Sequence, residues 1–194
     1  MNLRTAIIST FAYGSMALCG GLMAQTTQNT PAAPAAPAPM EQNAGSQLEG
    51  SDEDFLESAA HSGHTEVEGS KMAQTKATNP DVKAFAEKMV TDHTKVGQEL
   101  EALAKSKGYT PPTEPSLVQK AKLKALSIMD DSFDKRYVNQ IGVDAHEDAV
   151  KLFQEASAEA KDPEVKAFAA EKLPALQEHL EMAKALKQKV DPAK

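Results

Sequence analysis

Apolar residues beyond Ser51 recur at every third or fourth position over long stretches of the chain. That spacing lines one face of an α-helix, and a face of this kind is normally buried against other helices. The clearest run is Phe85, Met89, His93, Val96, Leu100 and Leu103. Runs of β-branched residues are absent, and Gly and Pro stand mainly at breaks between the periodic segments. The pattern therefore predicts an all-α domain over residues 51–190.

Capping residues mark where four long helices are expected to begin. Ser51 is the predicted N-cap of the first helix, and Asn79 is the predicted N-cap of the second, which runs to Gly108. The third helix begins after Asp130 or Asp131, and the fourth opens with "DPEVKAFAAEKL". Each helix is long enough to span an ordinary domain.

The start of the fourth helix closely repeats the start of the second, since "NPDVKAFAEK" is echoed by "DPEVKAFAAEK". This repetition suggests two related helical hairpins. Between them "YTPPTEP" breaks the chain, and "SLVQKAKLKALSIM" has room only for a short helix. One long connection between the second and third helices is what a ferritin-like four-helix bundle requires, so we predict that architecture.

Two stretches of the chain carry a resemblance to a known family. Residues 52–104, with "DH" near their middle, and residues 133–183, with "HL" near their end, resemble the exported bacterial domain-of-unknown-function 4142 family. The resemblance covers about residues 52–187 and includes the position of the crossover. It implies a ferritin-like fold and export from the cell, and it implies no reaction.

One polar residue interrupts the inward face of each long helix: Glu66, His93, His146 and His179. At a rise of 1.5 Å per residue each lies roughly 20 to 24 Å from the start of its own helix, so an antiparallel bundle brings all four to one layer. Three imidazoles and a carboxylate suit a single Zn, Fe, Mn or Cu ion. A di-iron centre is not expected because the Glu-x-x-His pattern is missing before each histidine.

A metal-free explanation of the same layer stays open, because buried histidines can hydrogen-bond Glu66 and one another. Gly97 and Gly142 stand one helical turn from a histidine. They indicate either space for an ion or close helix packing. We expect clustered, buried histidines to have lowered pKa values, except where contact with Glu66 raises the pKa of one of them.

Other polar residues near the layer are expected to lie in solvent. Asp92 and Glu178 each precede a histidine and point about 100° away from it, so they are at most groups that orient a ligand. His61 and His64 fall on the polar face of the first helix. We expect both to be solvated.

The N-terminal 50 residues do not belong to the predicted domain. Residues 1–24 have a basic start, a short apolar run and a small residue, Ala24, before Gln25, which is typical of a secretory signal peptide. Lipidation at Cys19 is disfavoured because Leu18 stands where a small residue is required. Residues 25–50 are rich in Pro and Ala and are expected to form a disordered linker. The mature protein is therefore expected to be periplasmic or secreted.

Charge and motifs narrow the function. The net charge of −7 argues against nucleic acid as a partner and against membrane association after the signal is removed. No catalytic motif is present, so enzymatic activity is not expected. Two hypotheses follow: a bundle that binds one transition-metal ion through Glu66, His93, His146 and His179, or a non-enzymatic structural or stress-protective envelope protein with a metal-free polar layer and a cell-envelope protein as partner.

Overall fold

The computed structural model describes residues 45–191, and all regular structure in that range is helical. The all-α prediction is confirmed. The expected signal peptide, Cys19 and residues 25–44 of the expected linker lie outside the described residues. Within residues 45–191, no helix combines the length and the apolar character that a membrane crossing needs.

The helices follow one another along the chain as two pairs with a short helix between them. They are α1 (Gly50–Lys76), α2 (Pro80–Ser106), α3 (Leu117–Ser127), α4 (Phe133–Tyr137), a π-helix (Val138–Asp144), α5 (Ala145–Glu159) and α6 (Pro163–Val190). α1 packs mainly on α2, and α5 with the π-helix packs mainly on α6. The segment between the pairs contains only the short α3, as the sequence predicts.

The predicted N-cap of the second helix is confirmed, and that of the first helix is wrong. Asn79 accepts a hydrogen bond from the Asp81 backbone N–H at 2.8 Å, and Asp162 starts α6 in the same way. α1, in contrast, begins at Gly50 after Glu49, and no side chain caps it. Ser51 is already inside the helix because the first turn is closed by backbone bonds to the Glu49 carbonyl.

The third predicted helix is not a regular α-helix. It is divided into α4, a seven-residue π-helix and α5. Its first residue is Phe133, and the preceding Ser132 makes no capping bond, so the predicted caps at Asp130 or Asp131 are wrong. The wider turn of the π-helix still keeps Val138, Ile141 and Gly142 buried.

The two hairpins share one core and are joined at one end by buried polar contacts. Phe55 of α1 meets Phe153 of α5 edge to face, with ring centroids 5.1 Å apart. Asp52 is 1% exposed and accepts hydrogen bonds from the backbone N–H groups of Lys161 and Asp162. These bonds satisfy donors at the start of α6, so they fix the second hairpin against α1.

Candidate metal centre

Four polar side chains meet in the middle of the core, one from each long helical segment. Glu66 comes from α1, His93 from α2, His146 from the start of α5 and His179 from α6. None is more than 4% exposed. The sequence predicted that these residues would share a layer, and the structure brings them together.

The carboxylate of Glu66 orients the ring of His93. Its Nδ1 lies 2.9 Å from Oε2 of the Glu66 carboxylate. An ionised carboxylate only accepts hydrogen bonds, so Nδ1 of His93 must carry the hydrogen. In a neutral ring the other nitrogen, Nε2, then carries no hydrogen and can only accept a hydrogen bond or bind a metal.

His146 is held in the same way by a backbone carbonyl. Its Nδ1 donates to the carbonyl oxygen of Ile141 at 3.0 Å. That carbonyl is accessible because the π-helix shifts the backbone pattern: the Ala145 N–H bonds to Gln140, five residues back, instead of to Ile141. The Nε2 of His146 is therefore also bare in the neutral ring.

The two bare nitrogens face each other, with Nε2 of His93 and Nε2 of His146 3.3 Å apart. Two acceptor lone pairs at this distance repel unless something positive lies between them. A shared proton is one solution and a metal ion is the other. A metal about 2.0 to 2.1 Å from two tetrahedral nitrogens would separate them by about 3.3 to 3.4 Å, which matches the observed distance.

His179 completes the group from α6. Its Nε2 donates to Oδ2 of Asp92 at 2.9 Å, and Asp92 also accepts from Lys88 at 2.8 Å. The remaining nitrogen, Nδ1, is buried and has no hydrogen-bond partner among residues 45–191. The three histidines each offer one ring nitrogen within 4.8 Å of the others.

The charges in the layer shift the pKa values in opposite directions. Burial alone would lower the pKa of His93, but the Glu66 carboxylate outweighs burial and raises it. Burial lowers the pKa of His146, and the charge on His93 acts in the same direction. Burial and the charge on His93 lower the pKa of His179 to about 4. Without a metal, these shifts make His93 the histidine of the layer that most readily takes up a second proton, on the Nε2 that would otherwise bind an ion.

Two expectations about charged or polar residues around the layer are corrected by the structure. Asp92 was expected in solvent, with orientation of a ligand as the alternative, and the contact observed is the alternative: Asp92 fixes the ring of His179 from the neighbouring helix. His61 and His64 are only partly exposed, and they bond the carbonyls of Glu114 and Pro112 at 2.7 and 3.2 Å. They hold the crossover segment against α1.

The two glycines beside the layer have different roles. A Cβ on Gly142 would lie 3.2 Å from the Cβ of Ala183, so this glycine serves close packing of the π-helix on α6. A Cβ on Gly97 would meet nothing within 4 Å. Of these two glycines, Gly97 is therefore the one that borders open space.

The fold has a counterpart among solved structures. The crystal structure of a DUF305 fragment from Deinococcus radiodurans is similar, with a TM-score of 0.64 and 12% sequence identity over 73% of this chain and 98% of that chain. At this identity the similarity shows the fold alone. No curated protein matches the chain. The domain of unknown function DUF4142 matches residues 37–186, so the chain belongs to the DUF4142 family.

Proposed function

We propose that this protein is an exported metal-binding protein that holds one transition-metal ion through Nε2 of His93, Nε2 of His146 and Nδ1 of His179. The observation that carries the proposal is the set of three buried nitrogens, each able to bind an ion when its ring is neutral, whose partner nitrogens are each engaged by an acceptor. Histidines that bind metals are typically oriented in this way by a carboxylate or a backbone carbonyl on the other nitrogen.

Glu66 has a different role in this proposal from the ligand role that the sequence suggested. Its Oε2 contacts Nδ1 of His93, and its Oε1 lies 3.8 Å from Nδ1 of His146, so the carboxylate sits behind both rings. We assign it the task of orienting His93 and of balancing part of the charge of the ion. Asp92 orients His179 in the same manner.

The ligand set favours some metals over others. Neutral imidazoles suit Zn, Cu and Fe, whereas Mn prefers carboxylate and water ligands. Affinity for divalent ions at a nitrogen site rises toward Cu²⁺ and is also high for Zn²⁺. Among Zn, Fe, Mn and Cu we therefore propose Cu²⁺ or Zn²⁺ as the ion, with binding, storage or transfer of the metal as the role.

Two further parts of the proposal concern the fold and the location. A ferritin-like bundle is supported by two helical hairpins joined by a long crossover. Export to the periplasm or the exterior is supported by the signal-like residues 1–24. Detection of the N-terminus of the mature protein by mass spectrometry tests export, and cleavage after Ala24 is the expected result.

The metal proposal is tested by metal retention. The mature protein, without an affinity tag, is mixed with one equivalent of Zn²⁺, Cu²⁺, Fe²⁺ or Mn²⁺ in separate samples, passed through gel filtration and analysed for bound metal. We expect about one Zn²⁺ or Cu²⁺ per chain and little Mn²⁺. The variant with His93→Gln, His146→Gln and His179→Gln should retain none. Equal retention by this variant would refute the proposal.

A structural role without metal is the second candidate, and the Glu66–His93 ion pair favours it. With His93 protonated, its Nε2–H donates to Nε2 of His146, which satisfies both rings. The unpartnered Nδ1 of His179 counts against this candidate. If the wild-type protein retains no metal of any kind while His93→Gln still lowers the melting temperature, the structural role is the one supported.

A further inference from the structure

A cleft of about 620 Å³ lies between α1 and α2, under the segment of residues 109–113. This volume is within the range of roughly 300 to 1,000 Å³ in which proteins bind small molecules. The inner end of the cleft is bounded by Glu66 and His93, and its walls are mostly apolar, with Leu100, Phe153 and Leu176 at its base. On α1 the lining residues run from Ala59 to Lys71, which is about 18 Å along the helix.

Two glycines keep this cleft open. Gly63 of α1 and Gly97 of α2 both line it, and a Cβ on either would meet nothing within 4 Å. Glu66 meets His93, and the helices are antiparallel, so Gly63 and Gly97 lie at nearly the same level. A glycine inside a helix costs about 0.8 to 1 kcal/mol relative to alanine, and packing does not require either one. The open space itself is what the two glycines provide.

The chemistry at the inner end specifies the kind of molecule that fits. Oε1 of Glu66 is buried and has no hydrogen-bond partner among residues 45–191. It therefore calls for one hydrogen-bond donor from a ligand. Oε2 of Glu66 already accepts from Nδ1 of His93, and the charged side chains that line the cleft, Lys71, Glu101 and Lys105, are exposed. An ionised group at the buried inner end would therefore lose its hydration without gaining a buried counter-charge.

We propose that the cleft binds a small, neutral, apolar molecule that carries one hydroxyl group, with the hydroxyl donating to Oε1 of Glu66 and the apolar body lying toward Tyr109. Binding does not require a metal, because Glu66 and His93 form the inner end of the cleft in either state. The apolar body gains by leaving water, and it fills space that is otherwise poorly packed.

The test uses the metal-free mature protein and two matched probes, 1-octanol and its methyl ether. The ether has the same alkyl chain and cannot donate a hydrogen bond. We expect 1-octanol to raise the melting temperature and to bind at least about tenfold more tightly than the ether, because the ether leaves Oε1 unpaired. Equal binding of both probes would overturn the hydroxyl contact, and binding of neither would overturn the site.

Matched leucine variants locate the binding. Gly97→Leu puts a side chain into the cleft and should abolish the effect of 1-octanol, whereas Gly50→Leu, at an equally open position outside the cleft, should leave it unchanged. Gly63→Leu serves the same purpose if Gly97→Leu does not fold. Binding of 1-octanol that persists in a folded cleft variant would overturn the proposal. Retained Zn²⁺ in the same variant separates this outcome from any failure of the metal site.

Discussion

At the scale of single residues, the candidate site depends on which ring nitrogen of each histidine carries the hydrogen. Glu66, the Ile141 carbonyl and Asp92 are all acceptors, and each contacts one histidine nitrogen at 2.9 to 3.0 Å. They fix the tautomers so that the free nitrogens point at one another. The sequence predicts that histidines are buried together, but it cannot predict the tautomers, because these depend on contacts between helices.

Asp92 should matter for metal affinity although it is not a ligand. Asp92→Ala removes the acceptor from Nε2 of His179, which frees the ring to rotate and to change tautomer, so we expect a 10- to 100-fold loss of affinity, roughly the range for such partners. Titration against a chelator of known affinity measures it. Glu178→Ala is the matched control, since Glu178 is an exposed carboxylate beside His179 in the chain and should change little. Equal effects of the two variants would contradict the role of Asp92.

The metal-free protein should be most stable near pH 6.5. Below that value the unfolded chain protonates its histidines, of ordinary pKa about 6.5, while His146 and His179 resist because their folded-state pKa values are lowered, to about 4 for His179. Stability is therefore lost as pH falls. Above pH 6.5 the folded protein keeps a proton on His93, whose pKa is raised, and stability is lost as that proton leaves.

Melting temperatures between pH 4.5 and 9 in the presence of a chelator test this profile. The double variant His93→Gln with Glu66→Gln removes the ion pair and should lose the decline above pH 6.5 while keeping the decline below it. A wild-type protein whose stability rises steadily from pH 6.5 to 9 would show that His93 does not hold the proton.

At the scale of helices, the inward faces were predictable and the π-helix was not. The three- and four-residue spacing of Phe85, Met89 and His93 identifies a buried face correctly, since all three are buried. The π-helix at Val138–Asp144 depends on a few hydrogen bonds that shift by one residue, and apolar spacing does not register so small a change. Yet this shift is what offers the Ile141 carbonyl to His146.

Glycine-to-alanine variants distinguish the two kinds of helix glycine. Gly97→Ala should stabilise the protein by up to about 1 kcal/mol, because alanine favours the helix and nothing lies within 4 Å of the new Cβ. Gly142→Ala should destabilise it, because the new Cβ lies 3.2 Å from that of Ala183 and the two segments must move apart. Denaturant unfolding measures both. A Gly142→Ala variant as stable as Gly97→Ala would contradict this packing.

At the scale of the whole molecule, the repeated "PDVKAF" and "PEVKAF" starts predicted the hairpin arrangement well. The contact of Asp52 that joins the two hairpins was not predicted. Asp52 bonds the start of α6, more than 100 positions along the chain. Nothing in the local pattern of Asp52 distinguishes it from the half-buried Glu53 and the exposed Asp54 beside it. Long-range polar contacts of this kind depend on the assembled fold.

A bound ion should stabilise the whole domain, because its ligands come from α2, α5 and α6. At a free metal concentration about 100 times the dissociation constant, binding adds about 2.7 kcal/mol to the free energy of unfolding. For a protein of this size that corresponds to a rise of roughly 5 to 10 °C in the melting temperature. Calorimetry with and without Zn²⁺ measures the rise, which a chelator should reverse. An unchanged melting temperature in the presence of bound metal would place the ion outside the core.

The most direct test of the central claim is X-ray absorption spectroscopy of the zinc-loaded protein, which counts the imidazoles around the ion. The arrangement of His93, His146 and His179 predicts three imidazole nitrogens at about 2.0 to 2.1 Å. It also predicts that His146→Gln reduces the imidazole signal or abolishes binding. A spectrum with one imidazole or none, or one that is the same in His146→Gln, would contradict the claim that these three histidines form a metal site.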